Sequence, residues 1–123
     1  MLARVDIVSV NCPSTPATYH LISARRLVLL QPTSYIVNTA RGDVIDEAAL
    51  IKILREGKIA GAGLDVFEAE PNVPEALAKL PNLTLTPHMA SGTVITRTAM
   101  ADLAFDNLQA HFSGKPLLTP VPR

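Results

Sequence analysis

Apolar positions along this chain fall into short unbroken runs separated by stretches where they recur every three or four residues, the pattern of strands alternating with helices. Val5 to Val10 (VDIVSV) is a β-branched run that stops at Asn11-Cys12-Pro13 and predicts a buried strand. Ser23 predicts the cap of a short helix from Ala24 to Leu30 that ends near Pro32, and Tyr35 to Asn38 (YIVN) reads as the next strand. Asp46 predicts the N-cap of a helix with Leu50, Ile53 and Leu54 on one face and Glu47 at its positive end. Gly57 suits the left-handed position just past that helix. Ile59 to Val66 (IAGAGLDV) predicts a third strand, where Gly61 and Gly63 would admit close approach of a helix or another backbone. Residues 68–82 are rich in proline and acid, with one turn of helix around Glu75 to Leu80, and Leu83 to Thr86 predicts a fourth strand. The longest helix follows, capped by Ser91 or Thr93, with Met100, Leu103, Ala104, Leu108 and Phe112 as its apolar stripe and Gly114 and Pro116 at its end. Lys115 to Arg123 reads as an extended tail.

Strands alternating with helices imply right-handed crossovers and a parallel sheet covered on both faces, an α/β Rossmann-like architecture of about four strands. A length of 123 residues with 48% hydrophobic content fits one domain. Eleven basic and eleven acidic side chains cancel, so no broad field points to nucleic acid or an anionic membrane. Two Tyr, three Phe and no Trp argue against base-stacking platforms. No apolar run approaches the ~20 residues of a membrane span. The single cysteine, Cys12, cannot close an internal disulfide, and no basic-then-apolar leader opens the sequence, so a cytoplasmic protein is expected. One Cys and three scattered His lack metal-ligand spacing, and no metal site is expected.

In an open parallel sheet, ligands bind beyond the carboxyl ends of the strands. The four predicted strands end in Asn11-Cys12-Pro13, in Asn38-Thr39-Ala40-Arg41-Gly42, in Asp65 followed by Glu70-Pro71, and in Pro87-His88. Arg, Asp, Glu and His thus gather on one rim, where soluble loops would need only Ser, Lys or Gly. A guanidinium can fix the position and tilt of a carboxylate with two parallel N–H bonds. An imidazole titrates near neutral pH and can give or take a proton, and a carboxylate beside it favours the imidazolium and orients the ring. His20 and His111 follow no strand and are expected to be bystanders, and Glu68 to be an ordinary loop acid. Cys12 has no neighbouring His, so nucleophilic chemistry is not expected of it.

The segments V-N-C-P-S-T-P-A-T (10–18), I-V-N-T-A-R-G-D-V-I-D-E-A-A-L (36–50), A-G-A-G-L-D-V-F-E-A-E-P (60–71) and T-P-H-M-A-S-G-T (86–93) carry these residues. In order and spacing they resemble the signature segments of the D-isomer-specific 2-hydroxyacid dehydrogenases, and in overall texture the glyoxylate/hydroxypyruvate reductases (D-glycerate dehydrogenases) among them. The resemblance implies residues 1–123 as the C-terminal portion of a NAD(P)-binding Rossmann domain. It further implies NAD or NADP as cofactor, reduction of small 2-keto acids such as glyoxylate or hydroxypyruvate to D-2-hydroxy acids, and a homodimer in the full-length enzyme. By that resemblance Arg41 holds the substrate carboxylate and polarises the carbonyl, His88 is the acid/base, and Glu70 is the partner of His88. Asp65 would contact the nicotinamide carboxamide, and Cys12, Pro13, Thr39, Ala40 and Ser91, with Arg41 and His88, would line the cofactor.

No G-x-G-x-x-G turn occurs in the sequence, and Gly61-Ala62-Gly63 belongs to a strand rather than to such a turn. The glycine-rich half and the substrate domain are therefore expected to be absent. An unpaired edge along Val5 to Val10 and an unpartnered apolar stripe on the last helix should result. Two other readings stay open: a nucleotide-sensing, corepressor-like binding module that keeps the same Arg, Glu and His, and an inactive truncated product.

Overall fold

The computed structural model describes residues 1–122, so Arg123 of the expected tail lies outside the described residues. Four strands, β1 (Ile7–Val10), β2 (Tyr35–Asn38), β3 (Gly61–Leu64) and β4 (Leu83–Leu85), form one sheet in the order β1-β2-β3-β4. Every neighbouring pair is parallel, with Ile7 opposite Tyr35, Tyr35 opposite Gly61 and Ala62 opposite Leu83. The connections carry α1 (Ala24–Leu27), α2 (Glu47–Arg55) and α3 (Glu75–Ala78), and α4 (Val94–Phe112) follows the sheet.

The strands are shorter than the apolar runs that announce them. Val5 lies outside β1, its carbonyl taken by the Ser34 hydroxyl at 2.8 Å. α1 stops at Leu27 rather than Leu30 because the Leu29 and Leu30 amides reach back only three residues, to Arg26 and Leu27, so the chain tightens before Pro32. Ser23 occupies the N-cap position there without a side-chain bond. Asp46 does cap α2, its Oδ1 accepting from the Ala49 amide at 3.0 Å, and Gly57 takes the left-handed conformation at φ 63°.

Chain contacts divide the molecule into two compact units, Met1–Met89 and Ala90–Arg123. The core of the first is built from Leu27, Ile36, Val44, Leu50, Ile59 and Leu77, all essentially inaccessible to solvent. Ile36 and Asn38 of β2 point into it, while Tyr35 on the opposite face is 52% exposed and Ile7 of β1 63%. The expectation of a sheet covered on both faces is therefore corrected. Strands added in one direction by same-handed crossovers place their crossover helices on one face, and here α1 packs on α2. β1 is an edge of the sheet, and the buried strand read from its apolar run is corrected: only Val10 is buried, while Ile7 and Ser9 lie exposed on the uncovered face. Of the two strand glycines, only Gly61 is crowded, since a β-carbon there would stand 2.7 Å from the Asn82 carbonyl oxygen; Gly63 has ordinary space.

In the second unit Thr93, not Ser91, caps α4, accepting from the Thr96 amide at 3.2 Å. Met100, Leu103, Leu108 and Phe112 are exposed and Ala110 is buried. The segment after Gly114 is not free: Asn107 accepts from the Leu118 and Thr119 amides at 3.1 and 3.2 Å and donates to Thr119 Oγ1 at 3.0 Å, folding the tail along the helix. No helix among the described residues is long and apolar enough to cross a membrane.

Candidate active site

Parallel register puts the carboxyl ends of all four strands on one edge of the sheet, and the loops that leave them carry the polar residues. β2 ends in Asn38, whose buried side chain organises the next turn. Its Oδ1 accepts from the Ala40 amide at 3.0 Å and its Nδ2 donates to the Arg41 carbonyl at 2.9 Å. Arg41 stands on this anchored turn with its guanidinium exposed and one N–H on the Ala40 carbonyl at 2.6 Å. A short 3-10 turn, Gly42–Val44, follows directly.

β3 ends at Leu64, and Asp65 next to it is 4% exposed. Its Oδ1 accepts from the Thr86 hydroxyl and from the Met89 amide at 2.9 Å, so a buried carboxylate fixes the loop that carries His88. Thr86 itself extends the ladder through a 2.9 Å amide bond to Leu64. Beyond Asp65 the chain turns through Phe67 and Glu68 to a cis Glu70-Pro71 bond.

The decisive contact joins these two loops. His88 Nδ1 lies 2.7 Å from Glu70 Oε2, and Glu70 Oε1 accepts from the Phe67 amide at 2.9 Å. A carboxylate only accepts, so His88 Nδ1 carries the proton of that bond, and Nε2 is the nitrogen left for exchange. Bonding to His88, then the Phe67 amide, holds the Glu70 carboxyl below its usual range, with the charges of His88 and Arg41 acting in the same direction. The side chains remain accessible, His88 at 46% and Glu70 at 33%. Phe67, Pro71, Val73 and Pro87 flank the pair in a shallow cavity of about 430 Å³.

Cys12, Pro13, Thr39 and Ala40 lie just past β1 and β2, with Pro13 and Thr39 exposed and Cys12 and Ala40 partly so. Ser91 belongs to the second unit, exposed ahead of α4. Sequence reasoning missed Thr86, Asn38 and the Phe67 amide as supports. The first two stand at strand ends, where a short polar side chain is the available signal; a backbone amide leaves none. His20 and Glu68, expected to be a bystander and an ordinary loop acid, pair with each other at 3.0 Å. Among the described residues no cluster of three or more His, Cys, Asp or Glu is placed to hold a metal ion.

Residues 1–90 match the family described as "D-isomer specific 2-hydroxyacid dehydrogenase, NAD binding domain". A hydroxyphenylpyruvate reductase of Plectranthus scutellarioides is 55% identical over 98% of this chain and 39% of its own length. The glyoxylate/hydroxypyruvate reductase A HPR2 of Arabidopsis thaliana is 53% identical over 94% of this chain and 37% of its own length. Among solved structures, an NADPH-dependent glyoxylate/hydroxypyruvate reductase of Sinorhizobium meliloti, in complex with NADP and malonate, superposes with a TM-score of 0.92 at 52% identity, over 98% of this chain and 38% of that one. The chain thus spans well under half the length of these relatives. With four strand ends in the expected register and the match running through His88, the chain belongs to the D-isomer specific 2-hydroxyacid dehydrogenase family, in its NAD-binding domain.

Proposed function

We propose that this chain supplies the acid/base and carboxylate-binding residues of an NAD(P)-dependent reductase that converts small 2-keto acids, such as glyoxylate or hydroxypyruvate, into D-2-hydroxy acids. The observation that carries this reading is the 2.7 Å contact between His88 Nδ1 and Glu70 Oε2 beside the Arg41 turn. Arg41 presents an exposed fork to the substrate carboxylate and draws electron density from the adjacent carbonyl. His88 Nε2 gives its proton to the carbonyl oxygen in reduction and recovers it in oxidation, while Nδ1–H stays on Glu70 throughout. Glu70 thereby holds the ring in one tautomer and one orientation, with Nε2 turned to the substrate side.

A nicotinamide nucleotide supplies the hydride when bound. The rim fits such a ring, because Cys12, Thr39 and Ala40 are small and at least partly exposed beyond the strand ends, which lets a planar group approach the backbone. Asp65, Pro13, Arg41 and His88 complete the proposed cofactor contacts. The similar reductases named above support this reading, as does the unpaired thiol of Cys12, which suits a reducing cytoplasm. The assembled enzyme is proposed to work as a homodimer.

The test is a graft. This chain replaces the matching segment of the Sinorhizobium reductase, and oxidation of NADPH with glyoxylate or hydroxypyruvate is followed. Ordinary turnover is expected from the graft and none from the 123-residue chain alone, which contains no G-x-G-x-x-G loop to seat a pyrophosphate. A folded graft that binds NADP but reduces neither acid would refute the assignment.

A further inference from the structure

Among the described residues, the two non-glycine positions with left-handed backbone are both histidines, His20 at φ 47° and His88 at φ 51°. Each pairs with a glutamate from one loop: His20 Nε2 with Glu68 Oε1 at 3.0 Å, and His88 Nδ1 with Glu70 Oε2 at 2.7 Å. Such backbone is held in place by its surroundings and concentrates where a side chain must point one way. His88 belongs to the site already described; His20 does not.

The surroundings of His20 tie it to both halves of that site. Its backbone amide donates to the Asp43 carbonyl at 2.8 Å, the Ile22 amide to Val44 at 2.9 Å, and the Asp46 amide back to Ile22 at 3.1 Å. These bonds make a short parallel bridge, Ile22 to Ile45, directly after the turn that carries Arg41. The imidazole reaches the other way, to Glu68, two residues before Glu70. Tyr19 stacks on the His20 ring with centroids 4.0 Å apart, and its hydroxyl donates to the same Glu68 oxygen at 3.4 Å. The Glu68 amide in turn donates to Glu47 Oε2 at 3.2 Å.

We infer that His20 and Glu68 form a positioning strut that sets the Arg41 turn at a fixed distance from the Glu70–His88 pair. The two residues are assigned to act through other groups and not on substrate. The strut acts through the loop: with Glu68 held, the Phe67 amide stays aimed at Glu70 Oε1, and Glu70 stays aimed at His88. The inference rests on the proposed reading only in calling Arg41, Glu70 and His88 catalytic.

Charges around the strut set the sign of its test. Glu68 faces His20, Tyr19 and Glu47. Burial raises the Glu47 carboxyl, with the Glu68 charge adding to it. Burial also raises the Tyr19 phenol, with Glu68, Asp43 and Asp46 contributing. Removing the Glu68 charge by itself can only leave the Glu70 carboxyl in place or lower it, because a neighbouring like charge raises a carboxyl. Loss of the Phe67 amide bond has the opposite effect, so the two causes separate by direction.

The experiment is an NMR titration of the glutamate carboxyls in the 123-residue chain. Glu68→Ala, which removes the acceptor, is expected to move the Glu70 midpoint upward toward the ordinary range. Glu68→Gln, which keeps an acceptor for His20, should leave it in place or slightly lower. His20→Asn tolerates the left-handed backbone but is too short to reach Glu68, and it should raise the midpoint. The double variant His20→Asn/Glu68→Ala should go no further than the larger single change. A Glu70 midpoint that falls or stays put in Glu68→Ala overturns the strut, as does a wild-type His20 ring with random-coil shifts. The readout needs no turnover, so a graft that fails to reduce keto acids leaves the result for the strut intact.

Discussion

Gly42 lies against the peptide of Phe67 so closely that a β-carbon at position 42 would come within 2.0 Å of the Phe67 carbonyl carbon and 2.3 Å of the Glu68 nitrogen. The turn carrying Arg41 and the loop carrying Glu70 therefore meet backbone to backbone at Gly42. Gly42→Ala has only main chain to push against, so it should cost at least about 2–3 kcal/mol. Thermal or urea unfolding of the chain measures this. A loss below about 0.5 kcal/mol would show that the loops are not in such contact.

His88→Gln, placed in the graft, keeps a polar group on the rim but removes the exchangeable proton. Turnover should fall on the order of 10²–10⁴-fold while NADP affinity stays nearly constant. His111→Gln, on α4, is the companion measurement; its ring meets Phe112 edge-on at 5.3 Å and should be dispensable. Equal losses from the two variants would contradict the acid/base role.

Arg41→Lys preserves the charge but replaces a planar fork with a single ammonium. Losing one charge-assisted hydrogen bond should reduce kcat/KM for the keto acid by roughly 10–100-fold, mostly through KM. Steady-state kinetics of the graft with glyoxylate decides it, and an unchanged KM would place the substrate carboxylate elsewhere.

Glu70→Gln removes a carboxylate held below its usual range, chiefly by His88. A folded-state value below the unfolded one means that the unfolded chain binds more protons in between, so stability rises with pH across that window. The contribution is complete above the ordinary glutamate range and is lost as pH falls through the lowered value. The stability gap between wild type and Glu70→Gln should therefore be widest near neutrality, narrow below the ordinary glutamate range and close as pH falls through the lowered value. Thermal melts at several pH values would show a constant gap instead if Glu70 were only a loop acid.

Asp46→Ala deletes the oxygen that accepts from the Ala49 amide at the start of α2. A loss of about 1 kcal/mol is expected in chemical unfolding. Because the Asp46 amide also closes the Ile22 bridge through its backbone, the substitution should leave that bridge in place.

Much of this arrangement is legible in the chain itself. β-branched runs announce β1 and β2, Asp46 and Gly57 bracket α2, and the rule that ligands gather at strand ends leads straight to Arg41, Glu70 and His88. The same rule passes over His20, because that residue sits in a bend ahead of α1 and its role comes from a bond to Glu68, 48 residues away. Gly42 looks like a turn residue, and only the folded backbone shows that it is a contact. Which face of the sheet is covered depends on the direction in which strands are added, a property of connectivity that periodicity does not encode. The division at Met89 likewise follows from contacts, not composition.

The left-handed backbone at His88 screens residues at that position before any chemistry is asked of them. Asparagine and aspartate visit such a conformation at little cost, whereas valine, isoleucine and threonine are excluded by their branched β-carbons. In a library of all substitutions at position 88, cellular abundance and catalytic output should consequently rank the variants in two different orders. The first would follow tolerance of the φ angle, with asparagine near the top; the second would collapse onto histidine alone.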